Sequence, residues 1–134
     1  MKKSKNYSME EISLKTIQEL IESGSLDLIA TQPGVCLPML QRIHKKMKAG
    51  IEFDSIRVNE SRIVDGHHRY VCSKLLGMEI EINDNYPIPS TSENHEWKGI
   101  VIDEFDHETE EEIHEHNVRD AEIGGHEVDF FNDL

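Results

Sequence analysis

Ile63-Val64-Asp65-Gly66-His67-His68-Arg69-Tyr70 is the stretch in which the hydrophobic period of the chain changes. Before it, Ser55 to Val58 and Arg62 to Asp65 flank Asn59-Glu60-Ser61 and carry Ile56, Val58, Ile63 and Val64, which predicts a β-hairpin. After it, Tyr70, Val71, Leu75 and Leu76 recur at three- and four-residue spacing until Gly77, which predicts a helix from Gly66 closed by a glycine stop. A strand running straight into a helix needs a sharp turn at Gly66, with Asp65 as the helix N-cap. The first amides of such a helix have no intrahelical acceptor, and the macrodipole adds partial positive charge, so the junction suits an anion. His67, His68 and Arg69 put further donors at the same end, Arg69 with the fork that matches a phosphate. Asp65 can orient an imidazole or hold a Mg²⁺ that accompanies a phosphate. The competing reading is structural, with Asp65 only a cap, Gly66 only a turn residue and one histidine bonded to a backbone carbonyl near the core.

Upstream, Ser8 and Glu11 have capping-box spacing, and Ile12, Ile17, Leu20 and Ile21 share a face, so a helix is expected over Ser8 to Ser23 with Gly24 as its stop. Ser25 to Thr31 reads as a short strand ended by Gln32-Pro33-Gly34. A second helix is expected from about Cys36 or Pro38 to Ala49, burying Leu37, Leu40, Ile43, His44 and Met47. Its opposite side carries Arg42, Lys45, Lys46 and Lys48, a set read as a solvated face, with nucleotide phosphates or the chain's own acidic tail as the other candidates for what it meets. Downstream, Met78 to Ile82 and Trp97 to Asp103 have strand patterns, Pro87 and Pro89 lie in a loop, and Thr109 to Asn117 is an acidic helix candidate. Phe130-Phe131 belongs to a tail that can dock through its aromatic rings. Together these elements predict an α+β (mixed α/β) fold, a small mixed sheet flanked by helices, over residues 1–103, followed by an acidic helix and tail over 104–134.

The net charge of −13 over 134 residues is unevenly placed. Residues 1–83 hold 12 Lys and Arg against 11 Asp and Glu, whereas 84–134 hold 2 against 16. So acidic a chain repels phosphate backbones, which argues against general DNA binding. Cys36 and Cys72 lie in apolar stretches without CxxC spacing and read as buried thiols of a cytoplasmic protein. No stretch approaches the roughly 20 apolar residues of a membrane span.

The order helix, hairpin, Asp-Gly-His-His-Arg-Tyr, helix ending in Leu75-Leu76-Gly77, and strand resembles the core of the ParB/sulfiredoxin superfamily over roughly Leu26 to Ile82. The resemblance implies a nucleotide cofactor, ATP, ADP or CTP with Mg²⁺, held by Gly66, His67, His68, Arg69 and Tyr70, with Asp65 and His68 as the catalytic candidates. The motif is most similar to the branch of ADP-dependent serine kinases. Three departures stand against a full transfer of function. His67 occupies the position of the sulfiredoxin nucleophilic cysteine, and Cys72 lies about one helical turn further on. No carboxylate lies between Asp27 and Glu52, where the serine kinases carry a glutamate base; Thr31 and Gln32 stand at that position. Only about 50 residues, an acidic stretch, follow the core, too few for the DNA-binding and dimerisation domains of a partition protein.

Three functions are therefore expected in contention. The first is a nucleotide-binding protein with phosphotransferase or NTPase activity. The second is a regulatory or immunity-type module of the same fold that meets a basic protein partner through its acidic region. The third is a ParB-like nuclease, which the charge disfavours. A homo-oligomer is compatible with each. His107, His114 and His116 among Glu108, Glu110, Glu111, Glu112 and Glu115 match no metal-ligand spacing and read as a solvated surface.

Overall fold

The structure is a computed structural model that describes residues 12–124. The expectations at Ser8, Glu11 and Phe130-Phe131 fall outside them. The described chain runs α1 (Leu14–Ser23), β1 (Gly34–Cys36), α2 (Leu37–Lys48), β2 (Ile56–Asn59), β3 (Arg62–Asp65), α3 (His67–Leu76), β4 (Ile82–Asn83), a 3-10 turn (Trp97–Gly99), β5 (Val101–Asp103) and α4 (Glu110–Gly124). This is a mixed α+β architecture with two small sheets. β2 pairs antiparallel with β3 and parallel with β4, and β1 pairs parallel with β5.

Helix α1 begins later than its hydrophobic pattern predicted. Ser13 is its N-cap and Thr16 completes a capping box, each side chain bonded to the other residue's backbone amide. Its Ile17 and Ile21 join Ala30, Val35, Leu40, Met47, Val71 and Ile100 in the main core. A smaller cluster of Ile56, Val58, Ile63 and Tyr70 lies under the hairpin, with Leu26, Ile80 and Trp97 touching both. Cys36 and Cys72 are buried free thiols, and Cys72 bonds to the Leu40 carbonyl from the groove between α2 and α3.

The hairpin forms where expected. Glu60 and Ser61 both have positive φ, 48° and 66°, the signature of a type I′ turn closed by the Asn59–Arg62 pair. Neither residue prefers that region, so Glu60→Asn combined with Ser61→Gly is expected to stabilise the protein by about 1 kcal/mol. The urea midpoint checks this; an unchanged or lower midpoint refutes it.

Two expected strands are largely replaced. Met78 to Ile82 contributes only β4, at its far end. Residues 25–31 make no ladder, only single bridges from Ile29 to Arg62 and from Ala30 to His95. Two of their amides are taken by side chains of α3, while the Ile29 amide donates to the Ser61 carbonyl. The Leu28 N–H donates to the Tyr70 hydroxyl at 2.9 Å and the Thr31 N–H to His67 Nε2 at 3.0 Å. The Cys36 N–H continues the series, donating to His68 Nε2 at 3.0 Å. Trp97 Nε1 closes the same segment by donating to the Leu28 carbonyl. The expected strand at Trp97 begins instead with a 3-10 turn and extends only from Val101.

Candidate site at the start of helix α3

The junction of β3 and α3 has the predicted abrupt turn, with one correction. The N-cap is Gly66, in the left-handed region at φ 108°, and not Asp65. An alanine Cβ built there would lie 2.6 Å from Ile56 Cγ2 and 2.8 Å from Arg69 Nη2, so the absence of a side chain lets the strand pass directly into the helix. Asp65 is released from capping and its Oδ2 lies 3.1 Å from Arg69 Nη2 and 3.7 Å from Arg57 Nη1. Arg69 also donates to the Asp54 carbonyl, which folds the guanidinium back across its own helix start.

The motif histidines have a different role from the donors that the sequence suggested. Each presents Nε2 as an acceptor to a backbone amide, which fixes the tautomer with hydrogen on Nδ1. Burial is the main cause that pushes both His67 and His68 down to about 4, so both are neutral near pH 7. Their Nε2 atoms, committed to Thr31 and Cys36, have no lone pair left to receive a proton from a bound reactant. Tyr70 turns away altogether. It is 2% exposed, accepts from Leu28 and donates to Asp27, and burial and that carboxylate push the phenol up to about 12.

A cleft of about 440 Å³ opens at this junction. One wall is Asp65, Gly66, His67, His68 and Arg69; the others are Arg42 and Lys46 of α2, residues 52–55 with Arg57, and His116, Asn117 and Asp120 of α4. The amides of His67, His68 and Arg69 sit in the first turn of α3, where no intrahelical acceptor exists. Sequence reading singled out Arg42 and Lys46 as candidates to face phosphates or the acidic tail. It missed Arg57, whose outward position on β2 is the one signal that pointed to it. Arg42 bonds to Asp106 and Glu108, and Lys46 to Asp120, so these two of the four α2 cations expected on a solvated face meet the acidic C-terminal region instead.

Among the described residues, no three His, Cys, Asp or Glu side chains converge to hold a metal ion, and no helix is long and apolar enough to cross a membrane. A Mg²⁺ accompanying a nucleotide would have Asp65 as the nearest motif carboxylate and would take its other ligands from phosphate and water. The chain matches no family model, no curated protein and no solved structure.

Proposed function

We propose that the cleft binds a phosphate-bearing ligand, a nucleotide of the ATP, ADP or CTP type, with its phosphates at the start of α3. The observation that carries this reading is the convergence on one cleft of the first-turn amides of α3 with the Arg42, Lys46, Arg57 and Arg69 side chains. Amides and guanidinium groups recognise phosphate by the same charge-assisted hydrogen bonds, and the helix dipole adds to both. The reading assigns binding and not turnover, because His68 spends Nε2 on Cys36 and Asp65 faces two guanidinium groups. What the cleft offers a ligand is a set of donors, Arg42 and Lys46 among them paired with carboxylates of the same chain, which suits a sensor or regulatory module better than a phosphotransferase.

Calorimetry with ATP, ADP, CTP and inorganic tripolyphosphate tests it. Arg69→Ala is expected to weaken binding about tenfold to a hundredfold, the worth of a hydrogen bond to a charged group. Arg69→Lys, which keeps the charge and loses the fork, should fall between the two. Heat from none of the four ligands, or equal affinity in wild type and Arg69→Ala, rules the reading out.

A further inference from the structure

The basic side of the cleft already carries carboxylates of the same chain. Arg42 directs Nη1 and Nη2 at the two oxygens of Asp106, 2.6 and 2.9 Å away, and Nη2 also at Glu108, at 2.6 Å. Lys46 Nζ lies 2.7 Å from Asp120, each side chain 8% exposed. The paired contact of Arg42 with Asp106 is the arrangement in which a guanidinium also holds phosphate, so carboxylate and phosphate compete for one set of donors.

Apolar burial in the described part of α4 is modest: Ala121 is fully buried and Ile113 and Val118 partly, against Ile17 and Ile21 of α1 and Leu37, Leu40 and Met47 of α2. Asn117 has its side-chain oxygen buried without a hydrogen-bond partner, a penalty present only while α4 is docked. The chain is fastened at one further point. The Cys36 thiol donates to the Phe105 carbonyl and accepts from the His107 amide, both at 3.3 Å, which pins the chain just before α4.

We infer that residues 108–120 form a displaceable arm whose Glu108 and Asp120, together with the Asp106 side chain at its pivot, occupy Arg42 and Lys46 until a polyanionic ligand in the cleft takes those cations over. The inference rests on the anion-binding reading above. Arm and ligand exclude each other from Arg42 and Lys46, so whatever loosens the arm tightens the ligand by the same factor. The arm thereby sets the ligand concentration at which the cleft fills, and its release exposes α4 as the response.

The test compares tripolyphosphate binding to the full chain and to its Asp106→Asn/Glu108→Gln variant by calorimetry, with hydrogen exchange of α4 amides followed in the wild type. The variant is expected to bind on the order of tenfold tighter, and saturating tripolyphosphate to speed α4 exchange. Glu111→Gln/Glu115→Gln removes the same charge from exposed positions and should shift affinity by about twofold or less, since distant exposed charge is screened. Equal affinity in wild type and Asp106→Asn/Glu108→Gln, an equal gain from both double variants, or α4 exchange unchanged or slowed by ligand overturns the arm and leaves the anion site standing. Binding seen only in the Asp106→Asn/Glu108→Gln protein would show that the ligand does not displace the arm, and also overturns the inference. Absence of heat in every protein removes site and arm together. The exchange measurement needs no variant, so it decides even if the substituted chain folds poorly.

Discussion

Lowering the pH from about 7 to about 4.5 is expected to cost this protein about 5 kcal/mol of folding stability, a large part of what a domain of this size possesses. The cause lies in His67 and His68, both held near 4 chiefly by burial, against an ordinary value of 6.5. Above 6.5 both imidazoles are neutral in the folded and the unfolded chain, and their contribution is complete. Between 6.5 and about 4 the unfolded chain takes up two protons that the folded chain refuses, so stability falls by about 1.4 kcal/mol per pH unit for each histidine. A proton on Nε2 would face the Thr31 or Cys36 amide hydrogen, so a folded imidazolium must break the bond that fixes its ring. His44, lowered by burial and Lys48, acts in the same direction. Asp27 and Asp106, held low by hydrogen bonds from Tyr70 and Arg42, add a separate loss only below the ordinary carboxylate range.

Urea denaturation followed by Trp97 fluorescence at a series of pH values checks this, since Trp97 lies 6.3 Å from His67 and 6.2 Å from Tyr70, ring to ring. Substitutions separate titration from hydrogen bonding. His67→Gln keeps an acceptor for Thr31 and does not titrate, so it should remove about half of the slope. His67→Leu leaves the Thr31 amide without a partner and should cost about 1–3 kcal/mol at every pH. Stability that stays flat between about pH 6.5 and 4.5 would show that the rings are not held as neutral acceptors.

Those same histidines mark the limit of what periodicity can tell. The hairpin, the stop at Gly77 and the Thr109–Glu112 capping box were legible because each depends on residues within a few positions of one another. The segment 25–31 was not, because its Leu28 and Thr31 amides are satisfied by side chains 36 to 42 residues away. An apolar run shows that a segment is buried, and says nothing about which acceptors meet its backbone. Lys46 makes the same point from the other side. Helical periodicity put it on the outward face of α2, and that face becomes an interface only because Asp120 arrives from a region that reads as a solvated tail. Asp65 next to Gly66 likewise looks like a cap, but a glycine at φ 108° takes the capping position and leaves the carboxylate to the two arginines.

Gly66→Ala is expected to destabilise the protein by about 2–5 kcal/mol and to weaken anion binding as well. Two costs add. A non-glycine residue held in the left-handed region costs about 1–2 kcal/mol. The new methyl carbon would also meet Ile56 Cγ2 at 2.6 Å, and Ile56 is fully buried in the smaller core, so relief requires moving a packed strand at about 1–3 kcal/mol. The 2.8 Å approach to Arg69 Nη2 is relieved by swinging the guanidinium, which takes it off Asp65 and away from the start of α3. Gly50→Ala supplies the internal reference. Gly50 has φ 92° with nothing within 4 Å of the added carbon, so it should show the conformational cost alone, about 1–2 kcal/mol. The difference between the two variants isolates the contact with Ile56, and in an Ile56→Ala background, which removes the clashing Cγ2, Gly66→Ala should cost less. Equal losses at Gly50 and Gly66 would mean that the strand-to-helix junction has room to spare, and that glycine is there for its backbone angles alone.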